Sequence, residues 1–361
     1  MLSKMNRSFQ DWARPKRLAI GKYIWDRKKN KNDKIDMNKV KKILFLRYDG
    51  KIGDMIINTL MFREVKKAYP GIQIGVVVRG ANRQVIENNP NVDKIYECDK
   101  SSKKMKKLAK KISDENYDIL IDFSETLRVK QMMFINLCKA RQNIGINKRE
   151  WNLFDINIDY KEDKKHITNR YAEVLKLMDI DEADLSYDIY LTEKQENLGK
   201  SFRESIPQEN LVALNPYGAS KYRTFNREKI LEICRKVLDD PKNAITFVFP
   251  PEKRKELDSL AKELGERAYF CEVIKGIMDS AAILKYSDLV ITTDTSIVHL
   301  GVALDKDMIA VYRSDEGTGE HNSLVWGPNS DKVRIIYSDP NFIEGEEADI
   351  NRFKFEIVEE I

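Results

Sequence analysis

The sequence predicts an α/β protein of two domains, each with a parallel sheet, facing one another across a cleft. Three observations carry that expectation. The chain has 361 residues, more than one ordinary domain holds. From Lys41 onward, short apolar runs alternate with stretches of helical spacing. Two segments roughly 240 residues apart, Arg47-Tyr48-Asp49-Gly50-Lys51-Ile52-Gly53-Asp54 and Asp294-Thr295-Ser296-Ile297-Val298-His299, each follow such a run and open a helical stretch. A strand, a tight polar loop and a helix N-terminus leave backbone N–H groups pointing outward, which suits an anion and phosphate above all.

The apolar runs fall at 43–46, 74–78, 119–123, 211–215, 245–249, 289–293 and 308–312. Their unbroken hydrophobicity fits strands covered on both faces. Helical spacing covers 54–68, 101–112, 126–140, 167–178, 227–238, 253–264 and 279–286. Strands alternating with helices of this length call for right-handed crossovers. The polar stretch 192–210, with Pro207 before a strand, marks the boundary between a first domain over 39–195 and a second over 207–340. Ile350, Phe353, Phe355, Ile357, Val358 and Ile361 read as a terminal helix over 345–361 that returns to the domain junction.

Charge is distributed unevenly. The net charge is +5, but residues 1–38 carry eleven Lys/Arg against four Asp, leaving the body at −2. A body of that charge, with no reader motif, argues against nucleic acid as a partner. The basic part is an N-terminal extension in which Phe9, Trp12, Ala13, Ile20, Tyr23 and Ile24 recur near three- and four-residue spacing. Such a helix could lie on an anionic membrane surface, pack on the protein's own body, or fray. No signal-type apolar region and no 18-residue apolar run is visible, so a cytoplasmic protein is expected. Cys98, Cys138, Cys234 and Cys271 lack paired spacing and read as reduced thiols. His166, His299 and His321 show no metal-ligand spacing, and no metal is expected.

Asp54 opens a helix and has two readings. It is a favoured N-cap type, worth ~1 kcal/mol to its helix. It is equally a carboxylate at the carboxyl end of a first parallel strand, the rim where ligands bind and a general base can act. Asp49, Gly50, Lys51 and Gly53 surround it, the glycines supplying a permissive backbone and Lys51 a cation. Neither a dinucleotide glycine fingerprint nor a P-loop is present. In the later segment Asp294 or Thr295 caps the helix, and His299 lies in its first turn, where the dipole disfavours imidazolium. His299 is then either packed or a ligand. The N–H groups of Thr295, Ser296 and Ile297 would crowd one spot. A third segment, Asn215-Pro216-Tyr217-Gly218-Ala219-Ser220-Lys221-Tyr222-Arg223, follows a strand. Gly218 and Ser220 allow close approach, while Lys221 and Arg223 could neutralise a diphosphate or simply be solvated.

Taken together, Lys41 to Gly80, Asn89 to Tyr96, Leu214 to Ile230 and Ser287 to Tyr312 resemble glycosyltransferase family 9, the ADP-heptose:lipopolysaccharide heptosyltransferases. The resemblance implies a GT-B architecture of two Rossmann-like domains, the first holding the acceptor and the second a nucleotide-sugar. It implies inverting, metal-independent transfer with no cofactor; the basic N-terminal extension fits an enzyme that meets a lipid-linked glycan acceptor at the cytoplasmic membrane face, and a monomer is expected. In that scheme Asp54 matches the catalytic carboxylate. Arg223, Ser220 and the amides from Thr295 would stabilise the departing diphosphate. Asp294 and His299 match the second motif, and Glu252 is placed as a ribose partner. Ser296 and Phe225 stand where the family has Gly and Trp, Arg313-Ser314 where it has Gly-Pro, and the first loop is one residue longer. A nucleotide-sugar epimerase of the same shape, or a relative that binds without catalysis, are the alternatives.

Overall fold

Strands that are apolar on both sides need helices on both faces of each sheet, and the fold supplies them. The structure, a computed structural model, describes residues 2–27, 34–124, 126–161, 164–316, 322–340 and 348–356, with the side chains of 2–12 and 251 outside that description. The first half runs α1 (Leu2–Trp25), β1 (Lys42–Leu46), α2 (Ile52–Ala68), β2 (Gln73–Val78), α3 (Arg83–Ile86), β3 (Lys94–Glu97), α4 (Ser102–Ser113), β4 (Ile119–Asp122), α5 (Val129–Cys138), β5 (Gln142–Ile146), β6 (Ile156–Ile158) and α6 (Ile167–Lys176). After α7 (Glu193–Glu204), the second half runs β7 (Asn210–Asn215), α8 (Arg227–Leu238), β8 (Asn243–Phe247), α9 (Arg254–Leu264), β9 (Ala268–Tyr269), α10 (Ile277–Lys285), β10 (Leu289–Thr293), α11 (Ser296–Ala303), β11 (Met308–Tyr312), α12 (Asn322–Val325) and β12 (Val333–Tyr337).

Both sheets are six-stranded, ordered β3-β2-β1-β4-β5-β6 and β12-β11-β10-β7-β8-β9. Every ladder is parallel. Each order reverses once, between β1 and β4 and between β7 and β10. In such sheets ligands bind beyond the carboxyl ends of the strands flanking that reversal. All the apolar runs noted above became strands; β3, β5, β6, β9 and β12 did not stand out. β5 begins with Gln142 and Asn143, both buried. Their amides donate to the carbonyls of Lys34 and Leu153, at 2.8 Å in each case, and so satisfy a polar strand.

α7 occupies the first half of the boundary stretch 192–210. The Thr192 hydroxyl accepts from the Gln195 N–H at 3.3 Å while the Gln195 side chain accepts from the Thr192 N–H at 2.9 Å, a reciprocal cap visible as T-x-x-Q. The described residues 348–356 form no helix. The expected terminal helix is corrected here: these residues run as an irregular strap with a turn at Asp349–Arg352, burying Ile350, Phe353 and Phe355 in the core of the second domain. Three apolar residues spaced by three and then two fit a strap pressed onto a surface, with the Ile350 N–H donating to the Tyr222 carbonyl at 3.2 Å. The remaining terminal residues of the expected helix, 345–347 and 357–361, lie outside the described residues.

The domains touch through helices. α2 packs on α11, and α3 and α7 pack on α10. Met55 and Ile56 of α2 share one buried cluster with Ile297, Val298 and Leu300 of α11, so the core runs across the junction. α1 lies on α5, drawn close by Gly21, where a Cβ would meet Val129 at 2.7 Å. No helix among the described residues is long and apolar enough to cross a membrane.

Candidate active site

The first crevice opens where β1 and β4 diverge. α2 begins at Ile52, with Lys51 at its cap position and no side-chain cap bond. Asp54 therefore sits inside the first turn, and the capping reading is corrected. Its carboxylate is held instead by Arg47, whose Nη2 lies 2.8 Å from Asp54 Oδ2 and 3.1 Å from Asp49 Oδ2. Arg47 is only 3% exposed and Asp54 15%. A buried guanidinium without these acids would be an uncompensated charge, so each fixes the other. Lys51 Nζ lies 3.8 Å from the same Asp54 oxygen. Asp49 Oδ1 accepts from the Lys51 N–H at 3.0 Å, closing the turn through Gly50 at φ +83°.

The loop after β4 completes this crevice, and nothing in the sequence marked it. Burial pushes the Asp122 carboxyl up, although the Ser124 hydroxyl donates to it at 2.6 Å. The wholly buried Lys148 donates to the carbonyls of Ser124 at 2.6 Å and Ile146 at 3.1 Å. A lysine deep in a core is informative only once its carbonyl partners are known.

The second crevice opens where β7 and β10 diverge. Thr295 is the cap of α11; its hydroxyl accepts from the Ile297 N–H at 3.2 Å. That amide is thus taken, a correction to the expected trio. The amides of Thr295 and Ser296 remain at the positive end of the helix. Asn215 Nδ2 donates to Thr292 Oγ1 at 2.9 Å and to Thr295 Oγ1 at 3.1 Å, tying the ends of β7 and β10 together. Beyond β7, the Gly218 N–H donates to the Thr224 hydroxyl at 3.1 Å, folding Ser220, Lys221 and Arg223 back over the crevice. Ser220 Oγ is shielded and has no partner among the described residues. Arg223 Nη1 pairs with Asp294 Oδ2 at 2.8 Å. Burial pushes the Asp294 carboxyl up, against the pull of Arg223 and Arg313. Through this pair Asp294 holds the Arg223 guanidinium in place. Lys221 is exposed, its Nζ 4.6 Å from the Tyr222 ring centre. Glu252 is exposed in the short turn Pro251–Lys253, past the end of β8, where Lys253 Nζ lies 4.9 Å from the Tyr217 ring centre.

The two crevices meet at one contact. A Cβ on Gly53 would lie 2.7 Å from His299 Cδ2 and 3.6 Å from Ser296 Cα, so α11 rests directly on the turn that carries Asp54. His299 is buried and packs edge-on against Tyr187, ring centres 6.2 Å apart. Burial lowers its pKa to about 3, with the His166 charge adding to this, so the ring is neutral as its helix position predicts. Its Nδ1 is shielded and has no partner among the described residues. On the other side, Lys51 Nζ sits 5.6 Å from the Trp326 ring centre, and His166 Nε2 donates to the Gly327 carbonyl at 3.1 Å. Among the described residues no group of three or more His, Cys, Asp or Glu could hold a metal, and the four cysteines are buried and free; His321 lies outside the described residues.

From Asp54 a cleft of about 1760 Å³ runs along the first domain, lined by Arg47, Phe123, Arg170, Tyr171 and α1, and by Trp326 from the second. Two reversing parallel sheets, with a carboxylate turn from one against a phosphate-type turn from the other, define a glycosyltransferase of GT-B architecture. Comparison with known proteins agrees. The profile of glycosyltransferase family 9 (heptosyltransferase) matches residues 105–349, and the chain belongs to that family. A protein of Escherichia coli (strain K12), named provisionally as lipopolysaccharide heptosyltransferase 4, is 28% identical over 320 residues, 86% of this chain and 85% of that one. Among solved structures, a family 9 glycosyltransferase of Veillonella parvula DSM 2008 superposes with a TM-score of 0.73 at 18% identity, covering 89% of this chain and 95% of that one. The E. coli ADP-heptose lipopolysaccharide heptosyltransferase II superposes at 0.65 with 13% identity, covering 82% and 90%.

Proposed function

We propose that this enzyme moves a heptose from ADP-heptose to a lipopolysaccharide core or related lipid-linked glycan, with inversion and without metal. The contact of Gly53 with α11 carries the reading, because it sets Asp54 beside the helix N-terminus suited to a diphosphate. An acceptor hydroxyl in the first crevice attacks the anomeric carbon as its proton passes to the Asp54 carboxylate. The new glycosidic C–O bond forms as the bond to the diphosphate oxygen breaks, and ADP leaves with the electron pair. Arg223, the Ser220 hydroxyl and the amides of Thr295 and Ser296 stabilise that leaving charge, while Lys221 and Gly218 shape the loop above it. Attack from the face opposite the leaving group inverts the anomeric centre. Glu252, just beyond the end of β8, is the ribose partner in this reading.

The support for ADP-heptose and lipopolysaccharide is family membership and the names of the relatives. The same reading puts the enzyme, as a monomer, at the inner face of the cytoplasmic membrane, helped by the +7 charge of residues 1–38 and by exposed Ile20 and Tyr23. Purified protein incubated with ADP-heptose and rough-type lipopolysaccharide should release ADP and give a product of inverted anomeric configuration, read by NMR. ADP-heptose left intact, with neither transfer nor slow hydrolysis, refutes the reading.

A further inference from the structure

α1 does not belong to the sheet that carries the first crevice, yet it overhangs the cleft that starts at Asp54. Arg14, Arg17, Leu18, Gly21, Ile24 and Trp25 all line that cleft. Their spacing of three, one, three, three and one places them on one helical stripe. The stripe is basic at its N-terminal end and apolar at the other. Gly21 and Trp25 pack on the first domain, whereas Leu18 is 37% exposed and Ile24 48%, although both face the cleft.

The helix is fastened as a wall would be, at its C-terminal end. Asn136 Nδ2 donates to the Trp25 carbonyl at 3.0 Å, and Lys22 Nζ donates to the Glu150 carbonyl at 2.9 Å. Asp26, 3% exposed, accepts from the Leu153 N–H at 2.8 Å. A tail whose only role was to touch a surface would need none of these bonds. Lys100, Arg128 and Lys130 also line the cleft, beside the start of α5 on which α1 lies, so cations gather along this wall. The volume exceeds the 300–1,000 Å³ typical of small-molecule pockets, and one sugar would fill little of it.

We infer that α1 is the outer wall of the acceptor site and that it selects an amphiphilic acceptor. Arg14 and Arg17 take that acceptor's phosphate or carboxylate groups, and Leu18 and Ile24 its apolar part. This rests on the reading that Asp54 faces the acceptor, and it assigns the class of acceptor: a polyanionic, lipid-linked glycan held whole between the helix and the first sheet. Charge complementarity fixes the occupant, because an uncharged glycan would leave these cations crowded along the wall.

The test compares the unaltered protein with R14E/R17E, two exposed positions where folding is checked by melting temperature. Binding is measured by calorimetry to a deacylated, phosphorylated lipopolysaccharide core oligosaccharide, to the same oligosaccharide after phosphatase treatment, and to ADP-heptose. Sedimentation with phosphatidylglycerol vesicles is followed in parallel. The expected result is at least tenfold weaker binding of the phosphorylated oligosaccharide by R14E/R17E, with ADP-heptose binding unchanged and phosphatase treatment removing the difference. Unchanged oligosaccharide binding overturns the inference, and if vesicle sedimentation alone falls, the helix serves the membrane surface only. Failure of the unaltered protein to bind the phosphorylated oligosaccharide overturns it as well. Loss of ADP-heptose binding by the unaltered protein would strike the donor reading instead, and the oligosaccharide arm would still report on α1.

Discussion

At the scale of single residues, the arrangement turns on Arg47 and Asp54. Arg47 is buried by the first sheet and has two acids as its charge partners, one of them the proposed base. Removing one partner of a buried pair costs about 3–5 kcal/mol, more than an exposed ion pair ever contributes. Arg47→Met should therefore destabilise the protein by roughly 3 kcal/mol in urea unfolding and release the Asp54 side chain. Arg47→Lys should recover stability better than turnover, because one ammonium cannot reproduce the planar fork that engages both acids. Equal recovery of both would show that charge alone matters there.

At the scale of elements, the junction of α2 and α11 joins the two chemistries. Gly53→Ala would drive a methyl into His299 and should cost about 1–3 kcal/mol, as overpacking does. His299→Ala opens that space, so the double variant should be more stable than the two single costs added together, in a double-mutant cycle. Additive costs would mean the contact is slack. The same helix carries a pH dependence. His299 is neutral in the fold, with its pKa lowered to about 3, whereas in the unfolded chain it takes a proton below about 6.5. Stability from this group is complete above about 6.5 and declines as pH falls toward 3. Urea midpoints at pH 7 and pH 5 should differ by less in His299→Gln than in the parent.

Much of this was legible in the chain. The strands that form both crevices are unbroken apolar runs, and the loops that follow them carry Asp54, Ser220, Arg223 and Thr295 in order. Long-range pairing was not legible. Nothing in the spacing of Gly53 and His299 reveals that they touch, nor does that of Arg223 and Asp294 reveal their ion pair. Lys148 and Asp122 look like surface residues by type, and only their buried partners show otherwise. The strap at 348–356 reads as a helix because its apolar spacing suits one helical face as well as it suits contact with α8 and its neighbours.

At the scale of the whole molecule, two sheets with the same strand order set their reversal points against each other, and the core continues between them. The turn carrying Asp54 and the turn proposed to hold the donor are therefore held in register by packing, while α1 and Trp326 bound the remaining space. The most direct test is to substitute Asp54→Asn and measure heptose transfer and ADP-heptose affinity on the same preparation. The account predicts transfer reduced at least 10²- to 10⁴-fold, the usual contribution of a general base, with donor affinity kept. Transfer that persists near the parent rate would contradict it.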